Sequence, residues 1–157
     1  MADLEPFGGR FGTLKSYAHV TILSSAHSPE EMAAAVGLPP DSAWAKGDLR
    51  RPGGRSTGRH KFNGITYDSP ARAGGDGPHE HLEQLVARLR PHSEQLRALA
   101  GEEGVDSVRL WLVEQTTSRN PAFSVSPALL AAIAEMGASL DLDIYVLDDD
   151  EETPAVP

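Results

Sequence analysis

His79-Glu80-His81 sets two imidazoles beside a carboxylate, the donor types that hold a transition metal. The spacing argues against that use. On a helix, positions i and i+2 point about 200° apart, so the two histidines share no face. His92 comes eleven positions after His81, about three helical turns away and beyond one metal shell. No HExxH spacing occurs, so the expectation is a capped, solvated helix start. Ser24, Ser25 and His27 offer a nucleophile and a base, but the chain has no G-x-S-x-G elbow. Serines at a strand end before a helix act as caps and turn formers. Asp141, Asp143, Asp148, Asp149 and Asp150 offer oxygen ligands for a cation, and in an extended chain Asp141 and Asp143 share a face. The D-x-[DN]-x-[DN]-G calcium loop is absent. A solvated strand edge and a charged tail are expected instead, and charge at an edge discourages pairing between molecules.

The segment Trp44-Ala-Lys-Gly-Asp-Leu-Arg-Arg51 is a stronger candidate. Its glycine permits a tight backbone, its cations can hold an anion, and its indole offers a flat surface. Trp44, Lys46, Asp48, Arg50, Arg51, Arg55 and Arg59 are the candidate binding residues. The segment is no P-loop, because G-x-x-x-x-G-K-[ST] does not occur. The bland alternative packs Trp44 on the core and pairs Asp48 with a neighbouring arginine. A concave pocket with converging polar groups under this loop would favour a ligand; a flat surface would favour protein contacts.

The elements that must position these residues follow from pattern. Tyr17, His19 and Thr21 alternate with Ala18, Val20 and Ile22 in the first strand, Tyr17–Ser25. Ser28 caps the next helix, with Pro29 at its first position, Glu31 completing a capping box and Gly37 ending it. Asp41 to Arg59 reads as mostly loop, with a short extended piece around Trp44. His60–Ser69 reads as a strand in which Gly64 suggests a bulge or a turn. Leu82, Leu85, Val86, Leu89, Leu96 and Leu99 mark one face of a long helix over His79–Gly101, broken or kinked at Pro91. Val105–Thr117 is a strong strand. Ser126 caps a helix that ends at Gly137, and Leu142–Asp148 is the last strand.

Helices on one face of a mainly antiparallel sheet give an α+β sandwich, ferredoxin-like or built from duplicated half-units that share a Ser–Pro start. The expected organisation is a partly ordered arm (1–14), a single α+β domain (15–148) and an acidic flexible tail (149–157).

A chain of 157 residues suits one domain. No cysteine is present, which excludes disulfides, thiolate metal sites and cysteine nucleophiles. The net charge of −9 disfavours nucleic-acid backbone binding and permits a basic partner. Yet six of the 14 lysines and arginines lie between Lys46 and Lys61, and seven of the 23 acidic residues between Asp141 and Glu152. No segment has the apolar length of a signal peptide or a membrane span, so a cytoplasmic, soluble protein is expected.

The first strand with SPEEMAAAVGLPPDSAWAKGDLR, then HLEQLVARLRPHSEQLRAL and SVSPALLAAIAEMGASLDLDIYVL, resembles the uncharacterised bacterial family called domain of unknown function 4279. Where its members carry a tryptophan strand after Lys–Gly–Asp, this chain has HKFNGITYDS, with Phe62 or Tyr67. The resemblance implies a small cytoplasmic domain without established catalytic residues, compatible with a toxin-immunity or defence-associated role. The leading expectation is a non-enzymatic binding domain with a protein partner and no cofactor. The alternative is a small-ligand or nucleotide-related protein, an enzyme included, that holds a small anionic ligand with the Trp44–Arg59 loop over the sheet.

Overall fold

The computed structural model describes residues 13–50, 58–69, 77–117 and 123–147. The element order is β1 (Thr13–Ser24), α1 (Pro29–Val36), β2 (Ser42–Trp44), β3 (Asn63–Asp68), α2 (Pro78–Leu89), a 3-10 turn (Arg90–His92), α3 (Ser93–Ala100), β4 (Val105–Thr116), α4 (Pro127–Glu135) and β5 (Ser139–Val146). The strands form one mixed sheet in the order β2-β3-β1-β4-β5. The first four are antiparallel to their neighbours, and β5 runs parallel to β4. The order of those four is that of a ferredoxin-like split βαβ fold; α4 and β5 add a parallel unit at one side. The expected α+β sandwich is what forms.

Alternation along β1 organises both layers. Ala18, Val20 and Ile22 are buried under the helices. They pair in register with Leu112, Leu110 and Val108 of β4, and Val20 and Ile22 pair with Tyr67 and Ile65 of β3. Met32 and Val36 of α1, Leu82, Leu85 and Leu89 of α2, Leu96 and Leu99 of α3, and Leu129 and Ile133 of α4 close the core from that side. Fully burying a side chain of this size contributes ~1.5–3 kcal/mol. Tyr17, His19 and Thr21 point the other way, because successive strand residues face opposite sides. β1 starts at Thr13, earlier than alternation alone indicated, because Ser16, Lys15 and Thr13 continue the ladder with Glu114, Gln115 and Thr116.

The helix boundaries have local causes. Ser28 accepts from the Glu31 N–H at 3.2 Å, and Glu31 accepts from the Ser28 N–H at 2.8 Å. Gly37 takes φ 72° at the helix end, a left-handed conformation open to glycine. Pro91 falls inside the 3-10 turn that separates α2 from α3, where a missing N–H interrupts the α-helical ladder. Ser126 accepts from the Leu129 N–H at 3.2 Å. The two Ser–Pro helices do different topological jobs: α1 leads from β1 to β2 across β3, whereas α4 joins the adjacent strands β4 and β5.

Ser28→Ala and Ser126→Ala should each lower unfolding free energy by roughly 0.5–2 kcal/mol, because each strips an acceptor from a helix N–H. Ser28→Ala should cost more, since the reciprocal bond from Glu31 loses its companion. Denaturant melts of the two variants against the parent measure both effects.

Candidate functional site

The described part of the segment expected as loop continues β2 and β3 as a two-stranded ribbon. Gly47 N–H donates to His60 O at 2.9 Å, His60 N–H to Asp48 O at 2.9 Å, and Arg50 N–H to Gly58 O at 3.0 Å. Leu49 and Arg59 form a bridge across it. A tight turn starts the ribbon. Ala45 N–H donates to Asp48 Oδ2 at 2.8 Å, Asp48 N–H returns to Ala45 O at 3.1 Å, and Gly47 takes φ 94°. Asn63 anchors the turn, accepting from Lys46 N–H at 2.7 Å and donating to His27 O at 2.8 Å.

Two expectations change here. Gly64 makes no bulge or turn: the β3 ladder runs through it on both sides. It is needed because the Trp44 indole lies flat over it, and a Cβ there would collide with ring atoms Cζ2 and Cε2. Trp44 therefore packs on the sheet face the helices leave open, not into the core. Its ring stacks on His60 with centroids 4.7 Å apart at 25°. Its Nε1 is buried with no hydrogen-bond partner among the described residues; such orphaned donors are rare and cost about 1–3 kcal/mol. Asp48 accepts from the Ala45 amide, and no arginine among the described residues bonds to it.

Under the ribbon the open face forms a cleft of about 770 Å³. Ser42, Thr66 and Asp68 line its floor, Tyr17 and His19 one wall, Trp44 and His60 the other, and Asp48, Leu49 and Arg50 its rim. The Ser42 and Thr66 hydroxyls bond each other across the β2–β3 pair. Asp41, also at the cleft, is held by Arg88 of α2, with Nη1 to Oδ2 at 2.6 Å and Nη2 to Oδ1 at 3.3 Å. Arg88 also donates to Asp68 O at 2.8 Å, and Asp68 N–H to Asp41 Oδ2 at 2.7 Å. Arg88 lies 5.9 Å from the Tyr67 ring centroid. Burial pushes the Tyr67 phenol up to about 12, and its hydroxyl donates to Leu38 O at 2.8 Å. Burial, then the nearby Arg50 charge, lowers the His60 pKa below its ordinary value, with Asp48 opposing. His60 is thus neutral at pH 7 and stacks on Trp44 as an uncharged ring. The aromatic row continues out of the cleft, with His19 stacked between Tyr17 at 5.8 Å and Trp111 at 6.4 Å.

Of the expected binding residues, Trp44, Asp48 and Arg50 reach this cleft. Lys46 is exposed on the turn, and Arg59 donates to Gly47 O at 2.6 Å; neither lines it. Arg51 and Arg55 lie outside the described residues, as do the tail and the first twelve residues of the expected arm. Sequence reasoning missed Tyr17, His19, His60, Thr66 and Asp68. The signal was the alternation of Tyr17, His19 and Thr21, which assigns them a common face.

The other candidates resolve as structure. His79 pairs with Glu83 at 3.1 Å. His81 is not solvated as expected: it is 1% exposed, with Nδ1 3.1 Å from Ser69 Oγ. It falls on the stripe with Leu82 and Leu85 that α2 turns to the core. His92 Nδ1 lies 3.0 Å from Val36 O. Ser24 Oγ donates to Gly104 O at 2.7 Å and accepts from the Ala26 and His27 amides at 3.1 and 2.8 Å, closing the turn before α1. Among the described residues no three metal-ligating side chains converge, and no helix is long and apolar enough to cross a membrane.

Fold and site together define a ferredoxin-like α+β domain with an appended strand and an aromatic cleft on its uncovered sheet face. The chain belongs to the family described as domain of unknown function (DUF4279), whose model matches residues 14–147. No curated protein and no solved structure matches the chain.

His60→Gln tests the electrostatics. A lowered folded-state pKa means the histidine's contribution to stability is intact above the unfolded value of ~6.5 and is lost as pH falls through the folded value. The parent should therefore lose more melting temperature between pH 8 and pH 5 than His60→Gln; parallel curves would place His60 in ordinary solvent. Gly64→Ala should displace the indole. In a Trp111→Phe background the remaining emission, from Trp44, should shift to longer wavelength.

Proposed function

We propose that this protein is a non-enzymatic binding domain of the cytoplasm whose ligand is a small, flat, polar molecule held in the cleft beneath the ribbon. The cleft itself carries this reading. Its volume of about 770 Å³ falls within the ~300–1,000 Å³ of ordinary ligand sites. Paired rings on opposite walls suit a planar ring or a sugar face, and the floor supplies hydroxyls and a carboxylate for polar substituents. Arg50 is the cation that lines it among the described residues, positioned to take one carboxylate or phosphate. Asp41, Asp48 and Asp68 oppose a heavily charged anion, so a single anionic group fits better than a polyphosphate. A catalytic use has less support, because Ser42 and Thr66 bond each other and His60 stacks on Trp44.

One observation favours a second reading through protein contacts, including an immunity-type role. The aromatic row passes out of the cleft through His19 to Trp111, so an extended segment of a basic partner could lie along it. The test is a binding screen read by NMR, with nucleosides, nucleoside monophosphates, aromatic acids, amino acids and sugars against basic peptides. Small anionic ring compounds should move the Trp44 indole and His60 resonances. Arg50→Ala should weaken them roughly tenfold or more, the equivalent of one charge-assisted hydrogen bond of ~1.5–3 kcal/mol. Shifts confined to Trp111 and Tyr17 with basic peptides alone would select the second reading, and shifts on the helix face would defeat both.

A further inference from the structure

Strand β5 is an outer edge of the sheet, and nothing among the described residues pairs beyond it. Native edges are usually short, bulged or guarded by charge, above all lysine, or by proline. The opposite edge, β2, is three residues long. β5 is eight residues long, contains neither lysine nor proline, and keeps an unbroken parallel register with β4. Its apolar exposure is concentrated. Of the seven large hydrophobic side chains that stay exposed among the described residues, five are Leu142, Ile144, Tyr145, Val146 and Leu147. A sixth, Leu130, is on α4, which packs beside β5. Leu142, Ile144 and Val146 follow the parity of Leu110 and Leu112, so they form one row on the helix side of the sheet. Asp141, Asp143 and Tyr145 lie on the open side, where the Tyr145 hydroxyl donates to Asp143 at 2.8 Å.

We propose that β5 pairs antiparallel with β5 of a second copy of this chain, about a twofold axis at Ile144, to make one continuous ten-stranded sheet. The charge pattern selects both the occupant and the register. An axis perpendicular to the sheet keeps both helix layers on the same side, and an isologous contact is self-complementary by construction. Centring the pairing on Leu142 would set Asp141 opposite Asp143 of the partner subunit twice over, and like charges directly opposite destabilise a sheet. Centring it on Val146 would leave Leu142 and Ile144 with no apolar partner among the described residues, because the strand is described only to Leu147. Centring it on Ile144 sets Leu142 opposite Val146 of the partner subunit and Asp143 opposite Tyr145 of the partner subunit. The apolar row then becomes continuous across the axis. The two aspartates on the first half of the strand, which argue against open-ended edge pairing, become the device that fixes one register. Closure by the twofold leaves no β5 edge for a third copy.

The absence of cysteine makes the test clean. In this register Ile144 faces its own symmetry mate, with Cβ atoms ~4.5–5.5 Å apart, close to the ~3.5–4.5 Å of a disulfide. Under mild oxidation Ile144→Cys should form a covalent dimer at least tenfold faster than Ala98→Cys, an exposed position on α3. Leu142→Cys and Val146→Cys should cross-link when mixed and not when alone. Sedimentation of the unmodified chain should give a dimer, and Ile144→Lys should weaken association at least tenfold with an unchanged far-ultraviolet circular dichroism spectrum. A parent that sediments as a monomer, or as an open-ended series, overturns the proposal. So does cross-linking at Ile144 no faster than at Ala98, a result that stands whether or not the lysine variant folds.

Discussion

Strand β1 sits at the centre of the sheet, paired with β4 along its length and with β3 over His19–Ser24. Its two faces could not be more different. Ala18, Val20 and Ile22 are sealed under helices, while Tyr17, His19 and Thr21 carry rings and hydroxyls on the other side. A slip of one residue in its register would exchange these sets and turn every core contact to solvent. The strict alternation therefore fixes the pairing with β3 and β4 and decides which face the helices cover. Because all four helices sit on that one side, the other face is left for the site, and the aromatic row on it follows from the same constraint that builds the core.

The second half of the site comes from the ribbon, and its placement depends on a close contact and an ion pair. Gly64 removes the one Cβ that would hold the Trp44 ring away from the sheet, so the indole can lie down and His60 can stack over it. Arg88 reaches from α2 to Asp41 and to the end of β3, tying the start of β2 to the helix layer. This pair is about a third exposed, so its worth is nearer that of surface pairs, ~0–1 kcal/mol, and its value is positional. Floor, walls and rim then converge because three strands and the ribbon share one curved surface.

The regular part of the fold was legible in the sequence because its signals are local. The caps at Ser28 and Ser126, the break at Pro91, the stripe from Leu82 to Leu99 and the alternation in the first and third long strands each act within a few residues. The ribbon was not legible. Its hydrogen bonds join Gly47 and Asp48 to His60 across a glycine- and arginine-rich stretch with no alternating pattern. Gly64 was misread for a related reason: a strand glycine signals a bulge or a close approach, and only the position of Trp44 tells which. His81 looked solvated because it belongs to a charged triplet, yet the phase of its helix carries it inward beside Leu82 and Leu85. The cleft residues on β1 and β3 were hidden because alternation shows which residues share a face, not which face remains uncovered.

The strand order also has a kinetic consequence. β4, α4 and β5 are consecutive in the chain and in the sheet, and their pairing begins between Arg109 and Ser139, 30 residues apart. The central ladder joins more distant segments: Ser24 meets Gly104 from 80 residues away, and the β1–β4 pairing encloses α1, β2, β3, α2 and α3 before it is made. Closing such a loop costs entropy before the ladder returns any of it, and topologies rich in distant pairings fold slowly for that reason. The segment from β4 onward is a βαβ unit whose parallel strands are joined through α4, with Leu110, Leu112 and Ile133 in its core. The meeting of β1 with β4 is therefore the pairing that this topology makes slowest, whereas the cleft draws its lining from Tyr17 to Asp68 alone.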